Sequence, residues 1–229
     1  MPKGGEKMTR EQWLQARKNG LGASDAACIL GRNPWKSNVQ LWEEKTGRRE
    51  AEDIGEKPVV KYGKDAEAPL RSLFALDFPQ YAIHYDEYGM IANRPEEPWL
   101  FATLDGELED TVTQQPSHLM GVLEIKTTEI MRPAQWAEWN GGIPEHYYCQ
   151  LLHQLLATGY YFAILKAQIR YREYGSSSPD ALKVTTRHYY ITVDDDGVRE
   201  DMEHLLQAEK DFWACVKTGR RPAALLPFI

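Results

Sequence analysis

The sequence predicts an α/β fold of the α+β kind, a mixed sheet flanked by helices, on three observations. The first third reads as helices with marked ends. The middle changes to short apolar runs with strand-like alternation, and the last part returns to helix, strands and a long helix. With 229 residues, 42% of them hydrophobic and 27% charged, the chain can bury a sizeable core as one domain. Residues 1–229 are therefore expected to form a single unit, with a flexible N-terminus at 1–8 and an apolar tail at 220–229.

The elements follow in order. Thr9-x-x-Gln12 has the form of a capping box and opens a helix through Trp13, Leu14 and Arg17, broken by Gly20 and Gly22. Ser24 reads as the N-cap of a short helix, Asp25 to Leu30, stopped by Gly31. A turn at Arg32-Asn33-Pro34-Trp35-Lys36 leads to a helix over Ser37 to Thr46, ended by Gly47. After a charged surface loop at 48–57, a longer helix is expected from Pro58 to Ala75. Val60, Ala66, Leu70, Leu73 and Phe74 give its apolar spacing, and Pro69 is a candidate kink.

Tyr81 to Ala92, Leu100 to Asp105 and Val122 to Lys126 read as strands, with 109–119 as an exposed hairpin loop. Helices are expected at Pro133 to Trp139 and Pro144 to Thr158, each with Pro near its first turn, Gly159 ending the second. Strands at Tyr160 to Arg172 and Thr186 to Val193 flank a Gly175-Ser-Ser-Ser-Pro179 loop, and an amphipathic helix over Asp196 to Lys217 closes the fold.

Bulk properties exclude several classes. Cys28, Cys149 and Cys215 are scattered and form no CxxC pair, which argues against a disulfide framework, a zinc site or an iron–sulfur cluster and for a reducing cytoplasm. No run of about 18 apolar residues is present, so no transmembrane helix is expected. Met1 to Arg10 lacks the apolar stretch of a secretory signal. The net charge of −7 counts against a plain nucleic-acid binder, yet a nuclease gathers carboxylates for metal and can confine its basic residues to one groove.

The chemistry centres on Asp105 and Glu124-Ile-Lys126. On a strand, Leu123 and Ile125 face one way and Glu124 and Lys126 the other. A carboxylate and an ammonium on a largely apolar strand are costly to bury unpaired, and a divalent metal with a phosphate would pair both. Asp105 ends an apolar run before Gly106. If that run pairs with 122–126, two carboxylates meet and, with a nearby carbonyl, offer hard oxygen ligands for Mg²⁺ or Mn²⁺. Lys126 would then touch the attacking water or the scissile phosphate. The bland alternative is a surface hairpin with an Asp at its turn and a Glu–Lys pair.

Other segments bear on that choice. Glu67, placed over the sheet, could support a second metal or its water, although Lys64, Asp65 and Glu67 also read as a solvated face. His146, Gln150, His153 and Gln154 form a polar stripe that is by default a wet face, from which Gln150 could orient a phosphate or water. Ser24, with Arg17 supplying a guanidinium fork, suits an anion, the plain alternative being an N-cap and a surface Arg. Arg32, Trp35 and Lys36 make a basic–aromatic turn able to touch DNA by stacking and charge, with Trp35 alternatively a core residue.

Five segments in order, Trp13-x-x-x-Arg17 with Gly22-Ala-Ser24, Tyr62-Gly-Lys-x-x-Glu67, Leu104-Asp-Gly106, Leu123-Glu-Ile-Lys126 and Tyr147-Tyr-Cys-Gln150, resemble the phage lambda exonuclease family of viral recombination nucleases. This is the YqaJ-like group within the PD-(D/E)XK superfamily, and the resemblance spans roughly Gln12 to Tyr171.

It implies a PD-(D/E)XK restriction-endonuclease-like core, Mg²⁺-dependent, processive removal of one strand of duplex DNA from a 5′ end, and a homotrimeric ring. By that likeness Asp105, Glu124 and the Ile125 carbonyl bind metal, about two ions per site. Lys126 acts on the water, Glu67 and Gln150 assist, and Arg17 with Ser24 holds the 5′ phosphate. It also implies a single-strand annealing partner and a phage or prophage protein in a bacterial cytoplasm. A ring would keep basic residues inside its channel and so reconcile the negative total charge.

The sequence departs from the family pattern in four places. Leu152 stands where a second glutamine is usual, with Gln154 one turn on as a substitute. Leu104 replaces a Pro, Pro69 interrupts the Glu67 helix, and the 105–124 interval is long. An endonuclease of the same superfamily, or a non-catalytic DNA-end-binding scaffold, stays open as an alternative.

Overall fold

The computed structural model describes residues 8–112, 119–172 and 182–225. The expectations for 1–7, for most of the 109–119 loop, for the Gly175–Pro179 loop and for the last four residues lie outside the described residues. The described elements are helices α1 (Arg10–Lys18), α2 (Ala23–Ile29), α3 (Asn38–Lys45), α4 (Pro58–Asp77), α5 (Gln135–Asn140), α6 (Glu145–Thr158) and α7 (Val198–Thr218), with strands β1 (Tyr81–His84), β2 (Gly106–Asp110), β3 (Met120–Ile130), β4 (Phe162–Arg172) and β5 (Leu182–Thr192).

Local chemistry sets several boundaries. Thr9 and Ser37 cap α1 and α3, and Gln12 and Gln40 reach back to close both capping boxes. Gly159, at φ 71°, ends α6 in the left-handed conformation that a side chain would resist. Ser24 does not cap α2. Gly22 does, its N–H donating to Asp25 Oδ2 at 3.0 Å, and Ser24 sits exposed in the first turn. α4 continues through Pro69, which lies on the exposed face of the helix. Leu73, expected on the apolar face of α4, is exposed, and Leu70 and Phe74 alone are buried there.

The strands form one five-stranded sheet in the order β1-β2-β3-β4-β5. All neighbours are antiparallel except β3 and β4, which are parallel and joined by the crossover through α5 and α6. Helices cover both faces. Leu70 and Phe74 of α4 pack on Leu123, Ile125 and Ile164. Leu151, Leu152 and Leu155 of α6 pack on Val122, Leu165 and Ile169 from the other side. α2, α3 and α7 share a further core around Leu21, Trp42 and Phe212.

Two strand expectations are corrected. Tyr81 to Ala92 contributes only the four residues of β1. Leu100 to Asp105 is not a strand of the sheet. Leu100 and Ala102 make isolated bridges to Leu21 and Ile91, and both are fully buried. That run is apolar because it is enclosed. The true strand begins at Gly106, in the acidic stretch Glu107 to Asp110 that reads locally as a loop.

The three cysteines are free and buried. The tail docks on the body as far as it is described. Asn38 donates to the Ala223 carbonyl at 2.7 Å and accepts from the Leu225 N–H at 3.2 Å. No helix among the described residues is long and apolar enough to cross a membrane.

Candidate active site

The site lies where β2 and β3 part. Gly106 pairs with Leu123, which sets Asp105 level with Glu124, and β3 then runs on to Ile130 with no strand partner on that side among the described residues. The Ile125 N–H crosses the gap to donate to Asp105 Oδ2 at 2.8 Å. In a strand the N–H and C=O of one residue point the same way, so the Ile125 carbonyl also faces the Asp105 side.

Glu124 is 3% exposed, which removes the surface-hairpin alternative. A buried carboxylate left unpaired costs several kcal/mol, and three donors surround this one. Lys126 Nζ and Gln150 Nε2 reach Oε1, the latter at 2.5 Å, and Gln154 Nε2 reaches Oε2 at 2.6 Å. Gln154, one turn after Gln150, thus gives Glu124 a second amide donor. The α6 stripe is not a wet face, since His153 and Gln154 are fully buried. Burial opposes the charge of Lys126, but Glu124 and Asp105 hold its pKa above the usual lysine value. The Tyr147 ring lies 5.5 Å from its ammonium.

Among the described residues no cation forms an ion pair with Asp105, and Lys126 acts on it only at longer range. Burial, then the charges of Glu124 and Glu67, push its carboxyl up to about 8 against the pull of Lys126 and the Ile125 N–H. Burial and Glu124 also raise Glu67, so α4 brings this third carboxylate within electrostatic reach. One turn after Glu67, Arg71 donates from Nε to the Asp105 carbonyl and lays its guanidinium 3.5 Å from the Tyr85 ring centroid. Nothing in the sequence beyond that spacing marked Arg71.

Among the described residues no three His, Cys, Asp or Glu side chains alone are arranged to hold a metal ion. The donor set is two carboxylates and a main-chain carbonyl, all hard oxygens. An anionic pair whose second member resists ionisation is the environment that a divalent cation relieves, and the residues fit one.

Arg17 and Ser24 meet, Nη2 donating to Oγ at 3.3 Å. The guanidinium lies 4.6 Å from the Trp13 ring centroid, and Trp13 Nε1 donates to Thr103 Oγ1 at 3.0 Å, two residues before Asp105. Sequence reasoning missed what holds this corner. Lys45 Nζ contacts Asp25 Oδ2 at 2.7 Å and donates to the carbonyls of Gly20 at 2.7 Å and Arg17 at 3.1 Å. Burial raises the Asp25 carboxyl, but Lys45 and the Gly22 N–H more than reverse it and leave it below the usual value.

The 32–36 turn is a rim. Trp35 is 74% exposed, and its ring stands edge-on to His146 at 5.2 Å, one helical turn before Gln150. It is therefore not a core residue. Arg32 is paired with Glu145 at 3.2 Å and Lys36 with Glu44 at 2.7 Å. Burial, then the charge of Lys126, pushes His146 down to about 4, so its imidazole is neutral.

Residues 12–161 match the model of the YqaJ-like viral recombinase domain. The chain is 29% identical over 164 residues to the uncharacterized protein YqaJ of Bacillus subtilis (strain 168), covering 69% of this chain and 47% of that one. It thus spans about half the length of that curated relative.

Among solved structures, an alkaline exonuclease (LHK-Exo) from Laribacter hongkongensis superposes with a TM-score of 0.57 at 19% identity, over 92% of this chain and 96% of that one. The same exonuclease in complex with dAMP gives 0.56 at 18% identity over the same shares. A phage related exonuclease from Haemophilus somnus 129PT gives 0.53 at 11% identity, over 87% of this chain and 96% of that one. The fold is the PD-(D/E)XK-like fold of the alkaline exonucleases.

Proposed function

The chain belongs to the YqaJ-like viral recombinase domain family, and from that premise we propose that it is a divalent-metal-dependent deoxyribonuclease removing nucleotides from the 5′ ends of duplex DNA in phage-type recombination. The observation that carries the reading is the buried Glu124, set beside Lys126, Gln150 and Gln154 and level with Asp105 at the open edge of β3.

Asp105, Glu124 and the Ile125 carbonyl would hold the cation, Mg²⁺ with Mn²⁺ as substitute, and Glu67 would favour a second ion or its water. When bound, the cation polarises the scissile phosphate and lowers the pKa of water at neutral pH. Lys126 presents its ammonium where negative charge develops on the phosphate oxygens and orients the attacking water. Gln150 and Gln154 fix the Glu124 carboxylate, and the Tyr147 ring lies beside the Lys126 ammonium.

Arg17 and Ser24 offer a guanidinium and a hydroxyl to a terminal 5′ phosphate, held near Asp105 through Trp13 and Thr103. That contact supports 5′-to-3′ polarity and processive movement. The exposed Trp35 supplies a stacking surface at the rim, whereas Arg32 and Lys36 must leave Glu145 and Glu44 to reach DNA. A homotrimeric ring, a single-strand annealing partner and a bacterial cytoplasmic setting complete the proposal, on family likeness.

Linear duplexes labelled at the 5′ or the 3′ end, digested with Mg²⁺ beside closed circles, test the activity. Early release of the 5′ label with intact circles is the expected result. Cutting of circles would favour an endonuclease, and no cutting in any divalent metal would favour a DNA-end scaffold. Mass measurement in solution tests the ring.

A further inference from the structure

Past Lys126, the edge of β3 that no described strand covers meets the first turn of α4 across a cavity of about 360 Å³, lined in part by Tyr62, Thr127, Thr128, Glu129 and Arg170. α4 comes close here because residue 63 is glycine, and a Cβ at that position would lie 3.3 Å from Thr127 Oγ1. The walls are held in place. The Tyr62 hydroxyl donates to Gln168 Oε1 at 2.6 Å, and the Arg170 guanidinium lies 4.2 Å from the Tyr62 ring centroid. Arg170 Nη2 is 3.5 Å from Glu129 Oε2.

This lining describes an occupant. Arg170 and Glu129 offset each other's charge, so the cavity does not select an anion such as phosphate. A flat guanidinium–aromatic pair beside the Thr127 hydroxyl, with Pro58 and Val59 as apolar wall, suits a neutral, planar group with one hydrogen-bonding edge. Its volume is in the range of small-ligand sites. Strand rise puts Thr127 to Glu129 about 3 to 10 Å from Lys126.

The cavity lies on the face of the sheet covered by α4. Ser24 belongs to α2, which packs with α6 on the other face, Arg17 donates to it, and Trp13 bonds Thr103, two residues before Asp105. A strand whose 5′ phosphate sits at Arg17 and whose scissile phosphate sits at Lys126 would therefore continue into this cavity. We propose that it is a subsite for the base and sugar of the nucleotide just beyond the cut, the second from the 5′ end. The proposal rests on the nuclease reading.

The test uses 5′-phosphorylated duplexes whose first five nucleotides are unpaired, with an abasic residue at nucleotide 2 or nucleotide 5, bound in Ca²⁺ buffer. In the wild type the abasic residue at 2 should weaken binding roughly tenfold, from the loss of one stacked base, and that at 5 should change it little. Tyr62→Leu and Arg170→Leu should abolish the difference, and Tyr62→Phe should keep it. Equal penalties at 2 and 5 in the wild type overturn the subsite, even if every variant fails to fold. So does a position-2 penalty that persists in folded Tyr62→Leu. A protein that cuts DNA but shows equal penalties loses only the subsite, whereas one that neither binds nor cuts DNA overturns the nuclease reading as well.

Discussion

The Asp105 carboxylate and the Ile125 main-chain N–H are joined by a 2.8 Å hydrogen bond that closes the gap between two diverging strands. This bond lies on the edge proposed to hold the cation, and among the described residues no cation forms an ion pair with Asp105. The carboxyl is pushed up to about 8 by burial and by Glu124 and Glu67. A proton must leave before the group can ligate metal, so metal affinity should rise with pH by about tenfold per unit and level off near pH 8. The linkage sign agrees. A carboxyl whose folded pKa exceeds its unfolded value costs stability as pH rises from about 4 to about 8, and bound metal restores it. Calorimetric Mn²⁺ titrations from about pH 6 to about pH 9 check this, and a flat affinity would remove Asp105 from the ligand set.

Lys126 neutralises Glu124 and so competes with any cation for that carboxylate. Lys126→Ala should lower the cleavage rate by at least about a hundredfold, the scale for losing one charge-stabilising group. The same change should tighten Mn²⁺ binding several-fold, because the competing ammonium is gone. Parallel single-turnover assays and metal titrations separate the two effects. Unchanged Mg²⁺-dependent cutting would rule the residue out of the chemistry.

How legible these features are depends on how local their causes are. The capping boxes at Thr9–Gln12 and Ser37–Gln40 are complete within four residues and can be read from sequence. The alternation that sets Glu124 and Lys126 on one face of β3 is equally local. Asp105 was legible as a chemical group but not in its place. Its strand begins after it, in a stretch made acidic by Glu107, Glu109 and Asp110, and the apolar run before it is buried without joining the sheet. The α6 stripe misleads for a related reason. His153 and Gln154 are polar because their partners, Glu209 and Glu124, come from distant segments. Lys45 was likewise invisible, because its partners Asp25 and Gly20 meet it only in the folded chain.

Arg17 is the group proposed to recognise the end of the DNA. Arg17→Ala should bring 5′-phosphorylated and 5′-hydroxyl duplexes to nearly equal initial rates, by slowing the former about tenfold or more, since a charge-assisted contact to phosphate is worth ~1.5–3 kcal/mol. Trp13→Leu should have a smaller effect in the same direction, because Trp13 only supports the guanidinium. Initial rates on the two kinds of end decide it. If the wild type already treats them alike, Arg17 and Ser24 are not a phosphate site.

His153 and Glu209, both fully buried, give a stability prediction independent of the nuclease reading. His153 Nδ1 is 2.6 Å from Glu209 Oε1, and Nε2 is 2.9 Å from the Phe101 carbonyl, so both ring nitrogens face acceptors. Burial alone would lower the His153 pKa, but the charge and hydrogen bond of Glu209, helped by Phe101, raise it above the usual value. A histidine with a raised folded pKa contributes stability that is fully present below about pH 6.5 and is lost as pH climbs through the folded value. Glu209→Gln should cost about 3 kcal/mol at neutral pH, because the protonated ring loses its counter-charge in the core. It should also flatten the melting curve's dependence on alkaline pH relative to the wild type, while the contribution of Asp105 stays common to both. Melting temperatures of the two proteins from about pH 6 to about pH 9 check both expectations. Parallel curves across that range would show that the pair holds no proton of its own.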